Sequence, residues 1–182
     1  FFPEAAFDYE PKDLNLDAET VRLKIDEKTE LYSWYIAPQS GRPVLLYLHG
    51  NAGNISHRLS IAQGWASRGF GCFLLDYRGY GRSSGTIRHE KDMTEDARAA
   101  FRFLRDERRI PAERIVLYGE SIGCAPALAL AGQERAGAVV LIAPFTRMID
   151  MARVHYGSKI PEVMLGDFKF DHTPSGNQKP AD

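Results

Sequence analysis

Cysteine is scarce in this chain of 182 residues: Cys72 and Cys124 are the two it has, each inside an apolar run. A disulfide framework is therefore excluded as the source of its stability. Charge of one sign is not in surplus either, with 23 Lys+Arg against 24 Asp+Glu and a formal net charge of -1. Recognition of a phosphate backbone needs a basic surplus or stripe, so no nucleic-acid partner is expected. Long hydrophobic runs are missing, and none approaches the ~18 residues that a membrane span needs. There is no internal repeat, no linker that would split the chain and no G-x-x-x-x-G-K-[ST] phosphate loop. What the chain has is 44% hydrophobic residues over a length that supports one domain, residues 1–182, with a core of its own.

The apolar residues are ordered in two rhythms. Residues 21–25 and 31–36 alternate apolar and polar positions across a charged turn, the pattern of a half-exposed antiparallel hairpin. The runs Val44–Leu48, Gly71–Leu75, 115–118 and Ala138–Ile142 are short and nearly all apolar, as strands covered on both faces are. Between them, Ile55, Leu59, Ala62 and Ala66 form one helical stripe, and Met93, Ala97, Ala100, Phe101 and Leu104 form another. The second stripe lies in a charged stretch, 89–109, read as a solvated helix face that Pro111 closes. A third helix, 122–131, is apolar nearly all round and belongs inside. The fold class that follows is α/β, with a mostly parallel sheet and an antiparallel N-terminal hairpin. A short helix is expected within 143–157, and residues 173–182 read as a disordered tail.

The strongest chemical signal is Gly119-Glu120-Ser121-Ile122-Gly123, a G-x-S-x-G. In a nucleophile elbow the serine sits on a strained turn between a strand and a helix, and the glycines let the two elements approach. Gly81-Arg82-Ser83-Ser84-Gly85 matches the same pattern, so context must separate them. Ser121 lies between an apolar strand and an apolar helix; Ser83 lies in a polar turn with no helix at once behind it. Ser121 is thus the candidate nucleophile. Its oxyanion hole needs two backbone N–H groups, one from Ile122 and one from the loop after the third strand, Leu48-His49-Gly50-Asn51-Ala52-Gly53-Asn54. Asn51 is the preferred second donor and Ala52 the alternative, with His49 a structural loop histidine. The glycines 79, 81 and 85 have the wrong spacing, and the wrong place in the strand order, for a dinucleotide fingerprint.

The order HGNAGN, LLDYRGYGRSSG, IVLYGESIG and APFT resembles the α/β-hydrolase superfamily over about residues 11–171. Within it the chain is most similar to serine hydrolases grouped with membrane-anchored and protein-depalmitoylating members. The resemblance implies a Ser-Asp-His triad that hydrolyses ester or thioester bonds of a small-molecule or acylated substrate. It implies no metal and no organic cofactor. Ser121 is then the nucleophile, the N–H groups of Ile122 and Asn51 form the oxyanion hole, and Asp76 braces a turn.

In that family the acid follows a seventh strand and the histidine an eighth, whereas six strands are expected here. The sequence reads as the family fold truncated after about six strands, with the triad acid and base expected beyond this chain. Among residues downstream of Ser121, an improvised pair of His155 or His172 with Asp167 or Asp171 is the alternative. Without a base a serine hydroxyl is a poor nucleophile, so the 182-residue chain alone is expected to be nearly inactive on activated esters. A non-catalytic binding module of the same fold is the competing reading. Strand six would become an exposed apolar edge that invites self-association. Phe1-Phe2-Pro3 stands where a removed membrane anchor would precede it. The expected location is cytoplasmic, with a membrane-anchored form as the alternative.

Overall fold

Strands whose two faces are both covered should form the centre of the sheet, and they do. A computed structural model of the chain describes residues 1–145, 147–149, 153, 168 and 170. Six strands make one sheet: β1 (Glu19–Lys24), β2 (Glu30–Ile36), β3 (Val44–Leu48), β4 (Gly71–Leu75), β5 (Ile115–Glu120) and β6 (Ala138–Ile142). Their spatial order is β1-β2-β4-β3-β5-β6. β1 pairs antiparallel with β2 and β2 antiparallel with β4, while β4–β3, β3–β5 and β5–β6 are parallel.

Alternation along the strands sends two sets of side chains to opposite faces. Leu45 and Tyr47 of β3, Cys72 and Leu74 of β4 and Tyr118 of β5 share one cluster with Ile55, Leu59 and Ala62. Helix α1 (Leu59–Ala66) supplies that cover, entered through a 3₁₀ turn Ile55–Arg58 whose Ser56 N–H is capped by the Asn54 side chain. Helices α2 (Glu90–Arg102) and α3 (Cys124–Ala131) pack on each other; α2 also contacts β3 and β4, and α3 contacts β5. Burial of Leu46, Leu48, Phe73, Leu75 and Leu117 completes the second layer.

Three expectations need correcting. β1 is half exposed as read, but β2 is buried from Leu31 to Ile36, because Phe7, Leu14, Leu16 and Ala18 of the N-terminal segment pack against its cluster. The charged helix does not run to Pro111: it ends at Arg102, widens into a π turn Phe103–Glu107, and is stopped by Arg109 at φ 56. Nor is its charged face wholly solvated, since Asp92 and Asp96 are buried. Asp96 accepts bonds from the Arg78 N–H at 2.9 Å, Nε at 2.9 Å and Nη2 at 2.6 Å.

Register decides where a site can form. Leu48 stands beside Leu75 on one side and Gly119 on the other, so β3, β4 and β5 end level. The loops after them converge at the carboxyl edge of the sheet, where ligands bind in open α/β folds. β6 forms the outer edge of the sheet among the described residues, with Val139 and Ile142 exposed. Contacts divide the chain between Pro144 and Phe145. In the second unit the Phe145 and Phe168 rings each lie 6.3 Å from that of Phe170. Most of 143–157 and all of 173–182 lie outside the described residues.

Candidate active site

β5 ends at Glu120 and the chain reverses through Ser121–Gly123 into α3. Ser121 has φ 51, a left-handed conformation that costs an L residue about 1–2 kcal/mol. The surroundings force that turn. A methyl group on Gly119 would lie 2.7 Å from the Gly123 carbonyl oxygen, and one on Gly123 would lie 2.0 Å from the oxygen of Leu48. Strand and helix can therefore meet only through glycine at both positions. Pro126 is harmless in the first turn of α3, where N–H groups have no helical partner.

The loop after β3 lies against this turn. A methyl group on Gly50 would stand 3.4 Å from Ser121 Cβ. Two carbonyls of the loop are pinned. His49, fully buried, has Nδ1 2.7 Å from the Gly50 oxygen, and a carbonyl can only accept, so Nδ1 carries the proton. The Asn51 oxygen accepts from the Tyr80 hydroxyl at 2.7 Å and from the Phe2 N–H at 3.3 Å. In a trans peptide the N–H points away from the carbonyl, so the Asn51 N–H is turned away from the His49 ring. Among the described residues neither that N–H nor the Ser121 hydroxyl makes a hydrogen bond.

Behind the loop, His49 Nε2 faces Asp76 Oδ1 at 3.5 Å, and Oδ1 accepts the Ile55 N–H at 2.9 Å. Burial pushes the Asp76 carboxyl above its ordinary range, against the lowering effect of His49. Asp76 thus ties the end of β4 to the loop that carries Asn51. Ser83, the other serine with the G-x-S-x-G pattern, is buried: its hydroxyl donates to the Asp76 carbonyl at 2.8 Å and accepts the Tyr32 N–H at 2.7 Å.

Ser121, Ile122 and Asn51 are accordingly carried on two segments that touch at Gly50. His155, His172, Asp167 and Asp171 lie outside the described residues. Reading the sequence missed a cluster beside the serine. Glu120 Oε2 accepts from the Tyr47 hydroxyl at 2.7 Å and from Arg58 Nε at 2.9 Å. Burial, then the Glu120 carboxylate, drives the Tyr47 phenol far above its usual range. Also missed was the strap formed by Phe2–Pro3, which pairs in parallel with Ala52–Gly53. No short motif marks either contact. Among the described residues, no cluster of three or more His, Cys, Asp or Glu could hold a metal ion, and no helix is long and apolar enough to cross a membrane.

Residues 43–182 match the family described as alpha/beta hydrolase fold, and the chain belongs to that family. Protein bem46 of Schizosaccharomyces pombe is 38% identical over 148 residues, which is 78% of this chain and 49% of that protein. The chain thus spans about half the length of that relative. Among solved structures, an alpha-beta hydrolase from Vibrio vulnificus superposes with a TM-score of 0.73 at 23% identity, covering 88% of this chain and 59% of that one. An esterase from Pyrococcus furiosus gives 0.72 at 22% identity, covering 90% and 64%. At that identity the two structures establish a shared fold.

Proposed function

We propose that this chain carries the nucleophile and oxyanion hole of a serine hydrolase that cleaves carboxylic esters or thioesters. The observation that supports the reading best is Ser121 held at φ 51 between two sterically obligatory glycines, in contact with a loop whose Asn51 N–H has no partner among the described residues. Structural likeness to the Pyrococcus esterase favours the same chemistry.

In this reading Ser121 Oγ attacks the acyl carbon while its proton passes to a base. The electron pair of the carbonyl moves onto oxygen, where the N–H groups of Ile122 and Asn51 receive it. Collapse expels the alcohol or thiol, which takes up the proton, and leaves an acyl-serine. Water then repeats the attack, releasing the acid and restoring the hydroxyl. The base and its acid partner are assigned to segments outside the described residues. A fluorophosphonate probe tests the proposal on a form of the protein that carries the base: mass spectrometry should find the adduct on Ser121, and Ser121→Ala should abolish it. A folded protein of that form whose Ser121 takes no label would overturn it in favour of a binding module.

A further inference from the structure

Arg58 touches both halves of the proposed site. Its Nε donates to Glu120 Oε2 at 2.9 Å, on the residue before Ser121. Its Nη2 makes a longer bond of 3.4 Å to the Ala52 carbonyl, on the residue after Asn51. Tyr47 closes the cluster from β3 through the same Oε2. The ion pair is largely withdrawn from water, with the Arg58 and Glu120 side chains 15% and 29% exposed. Gly50 lies against the same carboxylate: a methyl group on it would be 3.8 Å from Glu120 Cδ and 3.4 Å from Ser121 Cβ. Loop and turn therefore lie about one methyl group apart where the hole must open, and a small slip between them would close or widen it.

Charge adds a second requirement. Negative charge that develops on the substrate oxygen would form one residue from the Glu120 carboxylate, in a site where water screens weakly. An unneutralised Glu120 would oppose it. A guanidinium bonded to that carboxylate turns a full charge into a local dipole.

We propose that Arg58 is a positioning residue of the hydrolytic site: it ties the oxyanion loop to the elbow and cancels the Glu120 charge beside the nucleophile. It touches no reacting atom. The inference rests on the reading of Ser121 as nucleophile, so its test pairs a chemical readout with one that needs no activity. The first is the rate of fluorophosphonate labelling at Ser121 in a form of the protein that carries the base; the second is amide hydrogen exchange across residues 50–54 in the unlabelled protein. Circular dichroism and thermal melts verify that each variant is folded.

Arg58→Met should slow labelling about ten- to a hundredfold and speed exchange at 50–54. Arg58→Lys, which keeps the charge but not the fork, should recover labelling in part. Arg58→Met combined with Glu120→Gln should regain part of the labelling while exchange stays fast, because charge and tether then separate. Labelling in the double variant no faster than in Arg58→Met would overturn the charge role. Unchanged exchange at 50–54 in folded Arg58→Met would overturn the tether. If wild-type Ser121 takes no label in the base-carrying form the nucleophile reading fails, and the tether still stands or falls on exchange.

Discussion

Gly123, in the turn after Ser121, stands against Leu48, so closely that a methyl group on the glycine would lie 2.0 Å from the leucine carbonyl oxygen. The contact is backbone to backbone, and neither side has a flexible end that could yield. It presses the turn that carries Ile122 onto the strand that launches the Asn51 loop. Gly123→Ala is expected to cost about 3 kcal/mol or more, or to prevent folding. Gly132→Ala is the control, since a methyl group there meets nothing nearer than 3.6 Å; its denaturant midpoint should stay at or slightly above that of the wild type.

The strain at Ser121 can be measured separately from the chemistry proposed for it. At φ 51 alanine keeps the left-handed penalty and glycine relieves it. Ser121→Gly should be about 1 kcal/mol more stable than Ser121→Ala in denaturant unfolding, with both variants unlabelled by fluorophosphonate. Equal stabilities would remove the case for strain.

Asp96 is fully buried and its charge is answered by Arg78, from which it accepts three bonds. Arg78→Met removes the answer and leaves the carboxylate stranded, an effect of about 3–5 kcal/mol on unfolding free energy. Adding Asp96→Leu should restore a large part of that loss. A double variant as unstable as Arg78→Met would assign the damage to packing instead.

Asp92 caps the start of α2, accepting the N–H groups of Arg88 at 2.7 Å and His89 at 2.9 Å. Burial alone would raise its pKa, but those donors and the Arg78 charge outweigh it and hold the carboxyl below its ordinary range. The folded state therefore favours the carboxylate. Its contribution is complete above the unfolded-state value and is lost as pH falls through the lower folded-state value. At pH 7 Asp92→Ala should cost about 1 kcal/mol. Stability curves of wild type and variant should converge on acidification, as pH falls through and then below the ordinary carboxylate range. Curves that stay parallel would contradict the assignment.

The outer edge of the sheet is open at β6 among the described residues, and Val139 and Ile142 are 39% and 42% exposed. We propose that the isolated chain self-associates through it. Light scattering should show mass rising with concentration, and Val139→Lys should reduce the rise. A monomer at all concentrations would count against the proposal.

β3 and β4 coincide with apolar runs read from the sequence because both of their faces are covered, and a continuous run is what double burial leaves. β6 coincides with its run too, but it is not doubly covered, since none of its residues is fully buried among the described residues. The tight strand-to-helix turn at Ser121 was legible for a related reason: an apolar strand, a G-x-S-x-G and an apolar helix stand in immediate succession. The charged helix misled because periodicity reports only the side that is apolar. Asp92 and Asp96 look like solvated charges until Arg78, from another loop, is folded against them. Arg58 and Glu120 lie 62 residues apart, and a contact at that separation leaves no period or spacing to read. The N-terminal strap was invisible because two residues of parallel pairing make no pattern.

That strap has a practical consequence. Phe2 lends its N–H to Asn51, and Glu4 lends its own to Gly53, so the first residues of the chain are part of the wall that shapes the Asn51 peptide. Whatever is joined to Phe1, whether a natural extension or a purification tag, begins beside the Asn51 loop. Handles for immobilisation or labelling belong elsewhere on the molecule, and a tag placed there would report on its own interference.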